Sequence, residues 1–305
     1  MKKDYSPELE NRQKTSGKDS NQFFAPKTID ETLEIMEDTD KYRIIAGGTD
    51  IMVEKFEELY EVNNWIAIDK INELKEINKN DKKLEIGAGV THTQLLNSDL
   101  INNNVPALKE AALDVGSPQI RNRGTIGGNI VTSSPAGDLL PVLLIHNAEF
   151  ILESKDSKRK IPADEFFTGV KRNKLKENEM LTKIIIPLSH NNFDKWIKIG
   201  KRKALVISSL TLAVRVQLDD NCQKIEDASL AMGAVAPTPL IIDKVAEEII
   251  GKKFVDLDYE KIASIVEKEI SPIDDIRGTA KYRSDVAYNI TLRAFEDLKD
   301  KVEGC

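Results

Sequence analysis

The sequence predicts an α+β protein in three parts, and three observations carry that expectation. Short apolar runs lead into glycine pairs at Gly47-Gly48 and Gly127-Gly128, a polar connector at residues 189–194 divides the chain, and beyond it β-like runs precede a block of helical patterns. At 305 residues the chain can bury two or three cores, since domains commonly run about 100 to 200 residues.

The elements follow in order. Residues 1–22 are polar and mixed in charge, and read as a flexible extension rather than a signal peptide or an anchor. Residues 29–36 form a short helix with an acidic first turn, 43–46 a strand, 51–57 a helix and 65–69 a short buried strand. Together, residues 23–77 make a small α/β unit. Residues 84–88 open a second unit that runs to residue 188. Within it Thr91 is a candidate cap for the next helix, 106–115 is a further helix, 150–152 is a strand, and 181–186 is a strand that stops at Pro187. In the last unit, residues 193–303, the segments 196–199, 209–218 and 228–234 are β-like. Helical patterns at 245–250, 259–269 and 282–303 follow.

Composition excludes several functions. A formal net charge of −7 argues against nucleic acid or an anionic membrane as a partner, and no apolar run reaches the roughly 18 to 20 residues that span a bilayer. Cys222 and Cys305, the only cysteines, can build neither a disulfide framework nor a four-thiolate metal or iron–sulfur site, and the cytoplasm is the default compartment. His92, His146 and His190 are scattered with no ligand at metal-binding spacing, so no metal is expected.

Nine of the 16 glycines lie between Gly47 and Gly137, which argues against random turns. The first motif is Ile44-Ile45-Ala46-Gly47-Gly48-Thr49-Asp50-Ile51, a strand running into a tight loop. The second is Gly124-Thr125-Ile126-Gly127-Gly128-Asn129-Ile130-Val131-Thr132-Ser133-Ser134-Pro135-Ala136-Gly137-Asp138. Paired glycines can turn N–H groups toward an anion at little steric expense, and the hydroxyls add donors, so the expected guest is a phosphate or pyrophosphate. Neither motif is a P-loop, since no Lys followed by Ser or Thr comes after the glycines. Gly87-Ala88-Gly89 fails as a Rossmann fingerprint because His92 stands where the third glycine belongs. By spacing alone both motifs could equally be hairpin turns.

In wording, the two motifs resemble the FAD-binding signatures of the flavoprotein subunit of molybdenum hydroxylases, the group of xanthine dehydrogenase, the carbon monoxide dehydrogenase medium subunit and nicotinate dehydrogenase. The likeness runs from about Phe23 to the end of the chain. It implies the two-subdomain FAD-binding fold shared with vanillyl-alcohol oxidase and p-cresol methylhydroxylase, followed by a small C-terminal α+β domain. It further implies an electron-transfer role. A molybdopterin-binding large subunit oxidises the substrate, a small subunit with [2Fe–2S] clusters relays electrons, and FAD held here passes them to NAD or another acceptor. A self-contained flavin oxidase and an assembly module that has lost its cofactor are the rival readings.

The resemblance also assigns residues. Ile44, Ile45, Ala46, Gly47, Gly48, Thr49, Asp50 and Ile51 would grip the pyrophosphate and adjoining cofactor parts, with Thr49 as a hydroxyl donor. Thr125, Ile126, Gly127, Gly128 and Asn129 would form the other wall, with Ser133 and Ser134 adding contacts. Asp138 would bond a cofactor hydroxyl, or else cap the following helix; Asp50 reads rather as a cap for the helix after it. Val115 would line the cofactor or be ordinary core, and Leu181 would pack on the flavin or offer backbone to it while sitting in a buried strand. Lys198 would stabilise charge at the flavin, or be a solvated member of a basic cluster. Gln119, Arg121 and Arg123 face phosphate or a partner. No residue is expected to be catalytic in its own right, because the flavin performs the redox step.

Overall fold

The computed structural model describes residues 22–57, 64–202, 205–302 and 304; the extension expected at the N-terminus lies outside them, apart from Gln22. The first module is a parallel three-stranded sheet of order β1-β3-β2, made of β1 (Gln22–Phe24), β2 (Tyr42–Ile45) and β3 (Asn64–Ala67), with helices α1 (Ile29–Asp38) and α2 (Ile51–Phe56) in the connections. Thr28 caps α1 by accepting from the Glu31 amide at 3.1 Å. Leu33 and Met36, one turn apart, bury against Ile66, Ile68, Ile71 and Leu74.

The second module is an antiparallel sheet of order β4-β5-β10-β6-β7. Its strands are β4 (Ile77–Lys79), β5 (Lys83–Gly87), β6 (Glu149–Ser154), β7 (Ser157–Pro162) and β10 (Met180–Pro187), and a small hairpin of β8 (Phe167–Gly169) and β9 (Arg172–Asn173) precedes β10. Six short helices lie between β5 and β6: α3 (His92–Leu96), α4 (Asp99–Asn104), α5 (Pro106–Leu113), α6 (Pro118–Arg121), α7 (Ile126–Thr132) and α8 (Leu140–Ile145); α9 (Ala163–Phe166) follows β7. Thr91 does cap α3, in a reciprocal capping box with Gln94. The stretch read as the second glycine loop is a correction: its glycine pair lies within α7, because Thr125 accepts from the Gly128 amide at 3.0 Å and so starts a helix.

The third module is an antiparallel sheet, β11 (Asn192–Ile199), β12 (Leu210–Leu218), β13 (Ile225–Gly233) and β14 (Leu240–Ile241), backed by α10 (Asp243–Ile249), α11 (Tyr259–Glu269) and α12 (Ala280–Val302). Its two faces separate by the strand period of two. Leu210, Leu212, Val214, Val216 and Leu218 pack into the core of α11 and α12. On the opposite face Trp196, Ala213 and Ala231 lie in register across three strands and join the core of the second module.

Polar struts fix that docking. Arg215 donates from Nε to the Ile145 carbonyl at 2.6 Å. Asp194 takes the Ala107 amide at 3.2 Å on one oxygen and meets His146 Nε2 at 2.8 Å on the other, with His146 and Asp194 both buried. The polar connector is thus shorter than the sequence suggested, since β11 begins at Asn192 and Asp194 is a core residue. The docked sheet carries Lys198 to the second module. Among the described residues no helix is long and apolar enough to cross a membrane.

Candidate functional site

Two glycine motifs from different modules meet. Gly47 lies so close to the second motif that a Cβ there would stand 1.8 Å from the Arg123 carbonyl oxygen, and Gly48 has a φ of +76°, a left-handed conformation that glycine adopts without penalty. Thr132 at the end of α7 donates to Asp50 Oδ2 at 3.0 Å. That bond is what Asp50 does with its carboxylate; it stands at the N-cap position of α2 but makes no side-chain cap bond, contrary to the capping expectation.

The amides of the two motifs have opposite fates. In the second, Ile126 donates to Val90 O and Gly127 to Ala88 O, each at 2.9 Å, Gly128 donates to Thr125 Oγ1, and Asn129 donates to Thr125 O at 3.0 Å. In the first, the consecutive amides of Gly47, Gly48, Thr49 and Asp50 have no acceptor among the described residues, and neither does the Thr49 hydroxyl. Gly47, Gly48 and Thr49 are half-buried and Asp50 is exposed, so the row is open to a ligand. Ile44, Ile45 and Ala46 lead into it, half-buried, and Ile51 begins α2.

The α7 wall is shaped for close approach. Gly127 packs on β5, where a Cβ would come within 2.5 Å of Ala88 O, whereas Gly128 is exposed and a Cβ there would meet only Thr125 Oγ1, at 3.1 Å. Asn129, one turn before Thr132 on the same helix face, has a buried Oδ1 with no partner. Open amides, a hydroxyl without an acceptor among the described residues and a bare Cα form a polar cradle that fits a pyrophosphate. Under the cradle the buried His92 ring lies near Gly124, and burial, helped by Arg121, holds its pKa down at about 4.

Segment 133–138 runs from the end of α7 to a second cluster. Asp138 is buried and takes the Lys198 ammonium on Oδ2 at 2.7 Å and the Ser208 hydroxyl on Oδ1; Lys198 also donates to the Asp114 carbonyl at 2.9 Å. Burial pushes the Asp138 carboxyl above the ordinary aspartate range, against the pull of Lys198 and Ser208. Two alternatives fall here. Asp138 is no helix cap, since Leu139 holds that position, and Lys198 is no solvated lysine, its side chain being 7% exposed. Lys198 and Asp114 of this cluster face a groove of about 980 Å³ that Leu113, Gly116, Arg121 and Val206, among others, also line.

The remaining residues take plainer places. The Leu181 side chain belongs to the core, and the half-buried Val115 gives its carbonyl to Arg121 at 3.2 Å. Ser134 Oγ accepts from the Ala136 amide at 3.3 Å, while Ser133 is buried and bonded to Ile130 O and Asn173. Arg123 pairs with Asp69 at 3.7 Å, and Gln119 is exposed. Sequence reasoning missed Ser208 and the Asp114 carbonyl. No local signal marks either, because each meets the site only through the docking of the third module.

A cradle for phosphate oxygens and a cation-floored groove, joined on an α+β scaffold of two docked domains, define a protein that holds an extended phosphate-bearing cofactor. Residues 18–189 match the family model described as the FAD binding domain in molybdopterin dehydrogenase, and residues 195–298 match the CO dehydrogenase flavoprotein C-terminal domain. The chain belongs to this family: it is an FAD-binding oxidoreductase subunit of the molybdenum hydroxylase type. It is 33% identical to the nicotinate dehydrogenase FAD-subunit of Eubacterium barkeri, over 93% of this chain and 97% of that one. It is 30% identical to the glyceraldehyde dehydrogenase medium chain of Sulfolobus acidocaldarius, over 90% and 97%. Among solved structures, a chain of carbon monoxide dehydrogenase from Hydrogenophaga pseudoflava superimposes with a TM-score of 0.84 at 28% identity, covering 91% of this chain and 96% of that one. The FAD-binding fold and the C-terminal domain expected from the motifs are those found.

Proposed function

We propose that FAD is held across both clusters, its pyrophosphate on the amides of Gly47, Gly48, Thr49 and Asp50 and its flavin toward the Lys198 groove. The observation that carries this reading is the row of four amides without acceptors among the described residues. Thr49 Oγ1 and the Asn129 side chain supply further bonds, Gly128 and Thr125 shape the opposite wall, and Ile44, Ile45, Ala46, Ile51, Ile126, Gly127 and Ser134 keep the loops in place. Val115, beside the groove residues Asp114 and Gly116, lines the cofactor, Leu181 supports it from the sheet, and Asp138 accepts from a cofactor hydroxyl. The domain division is the one read from the sequence, with a FAD-binding domain at residues 23–188 and a C-terminal domain at 193–303.

Bound there, the flavin supplies redox chemistry that can take electrons singly and release them in pairs. The protein's own part is to bind, to orient and to set the charge around the ring. Lys198, buried and fixed by Asp138 and the Asp114 carbonyl, keeps a cation at a constant place. Arg121, Lys201 and Arg202 extend the positive lining of the groove.

The electrons come from a [2Fe–2S] small subunit served by a molybdopterin large subunit, and NAD is the proposed acceptor. Relatives named as FAD-subunit and medium chain support the assembly. The proposed compartment is the cytoplasm. The test is the visible spectrum of the purified chain, with release and identification of the chromophore. About one FAD per chain is expected from a single cradle; a colourless protein that cannot be reconstituted with FAD contradicts the reading. Reduced holoprotein should then pass its electrons to NAD, and failure with NAD but success with an artificial acceptor would reassign the acceptor alone.

A further inference from the structure

We propose that Ser208 is a positioning residue for the flavin, one that sets, through its hydroxyl on Asp138, how much of the Lys198 charge is felt in the groove. The inference rests on the flavin reading above and assigns a role to a residue outside both glycine motifs.

The geometry is a closed relay. Ser208 is 1% exposed, and its Oγ donates to Asp138 Oδ1, while Lys198 Nζ donates to Oδ2 at 2.7 Å. Each carboxylate oxygen thus has one side-chain donor, one neutral and one charged. Lys198 is also held by the Asp114 carbonyl at 2.9 Å, so it cannot leave the groove wall to follow a change in its partner. The charged groups acting on Asp138 are Lys198 from β11 and Asp114 from the end of α5, and Arg121, Lys201 and Arg202 line the same groove.

A buried carboxylate stays ionised only while donors favour its charged form. With Ser208 in place, an ionised Asp138 behind the groove wall offsets part of the Lys198 charge, and the groove feels the remainder. Without the hydroxyl, one oxygen loses its donor in a site from which water is largely excluded, and the neutral acid gains. Once Asp138 takes up a proton, Lys198 stands unbalanced with its cation fixed at the groove wall. A ring that becomes more negative on reduction is then favoured, and its potential rises. Ser208 therefore acts at one remove, through Asp138 and Lys198.

The test uses the full chain with Ser208→Ala and Ser208→Thr. Without FAD, the Asp138 carboxyl is followed across pH by isotope-edited infrared difference spectra, assigned with Asp138→Asn. In the Ala variant the carboxyl should titrate about one pH unit or more higher, since a hydrogen bond to a charged group is worth about that much, and Thr should restore the wild-type value. An identical titration in wild type and Ser208→Ala overturns the proposal. With FAD loaded, the Ala variant should show a higher midpoint potential whose pH dependence is displaced by the same amount. A displaced carboxyl titration with an unchanged potential would overturn the link from Asp138 to the groove. A wild-type chain that takes up no FAD would contradict the flavin reading instead, and the infrared titration alone would then judge Ser208.

Discussion

The two glycine motifs look alike in sequence and do opposite things in the fold. The first, after β2, leaves four consecutive amides without acceptors among the described residues. The second engages its amides within the protein, to Val90, Ala88 and Thr125, and offers outward the bare Cα of Gly128. One motif is a donor row and the other a smooth wall. The same contrast repeats inside each pair: Gly47 and Gly127 are glycines because neighbouring backbone leaves no room, whereas Gly48 and Gly128 meet only side-chain atoms. Each pair thus combines one residue that lets backbone pack on backbone, between modules at Gly47 and within the second module at Gly127, and one that meets only side chains.

The comparison can be broken most forcefully at Gly47. Gly47→Ala sets a Cβ 1.8 Å from the Arg123 carbonyl, a backbone atom that cannot turn aside, so the two modules must part. We expect a loss of about 3 kcal/mol in denaturant unfolding, the upper range for overpacking, together with loss of FAD. Gly128→Val should separate the two properties. Its Cβ meets only Thr125 Oγ1, so unfolding should stay within about 1 kcal/mol of wild type, while FAD affinity measured by fluorescence titration should fall about a hundredfold, or ~3 kcal/mol.

A smaller effect tests the wall from beneath. His92 is buried, with a pKa lowered from 6.5 to about 4, so the folded state resists protonation that the unfolded state accepts. The stability this represents is fully present above pH 6.5 and is lost as pH falls toward 4. By about pH 5 the loss should reach ~2 kcal/mol, and His92→Gln should flatten that part of the profile. The smallest effect concerns the clasp between the motifs. Thr132→Val removes the hydroxyl donated to Asp50, an exposed bond, and should lower stability by about 1 kcal/mol or less.

Much of this was legible in the sequence because it is local. The strands and helices of the third module follow their periodicity, Thr91 caps the helix that starts right after it, and the wording of the two motifs carried the family. What was not legible depends on partners distant in the chain. The second motif read as a loop because nothing in residues 124–138 reveals that Val90 and Ala88 will take its amides and let α7 form. Asp194 read as part of a polar connector, yet His146 and the Ala107 amide satisfy its carboxylate and allow its burial. Lys198 could be read either as a flavin neighbour or as a surface lysine, and docking of the third sheet decides for burial by bringing Asp138 and the Asp114 carbonyl to it. Ser208 carried no signal at all. Periodicity marks which face of β12 is apolar, but not what a buried serine just before that strand will touch.

The contrast between a donor row and a wall is tested most directly by amide hydrogen exchange and ¹⁵N chemical shifts in the free chain and on adding FAD. The account predicts that Gly127 and Gly128 are protected before FAD is added and change little. Gly47, Gly48, Thr49 and Asp50 should exchange freely at first, then shift and become protected on binding. If FAD binds while the amides of Gly47 to Asp50 neither shift nor gain protection, the cradle has been assigned to the wrong loop.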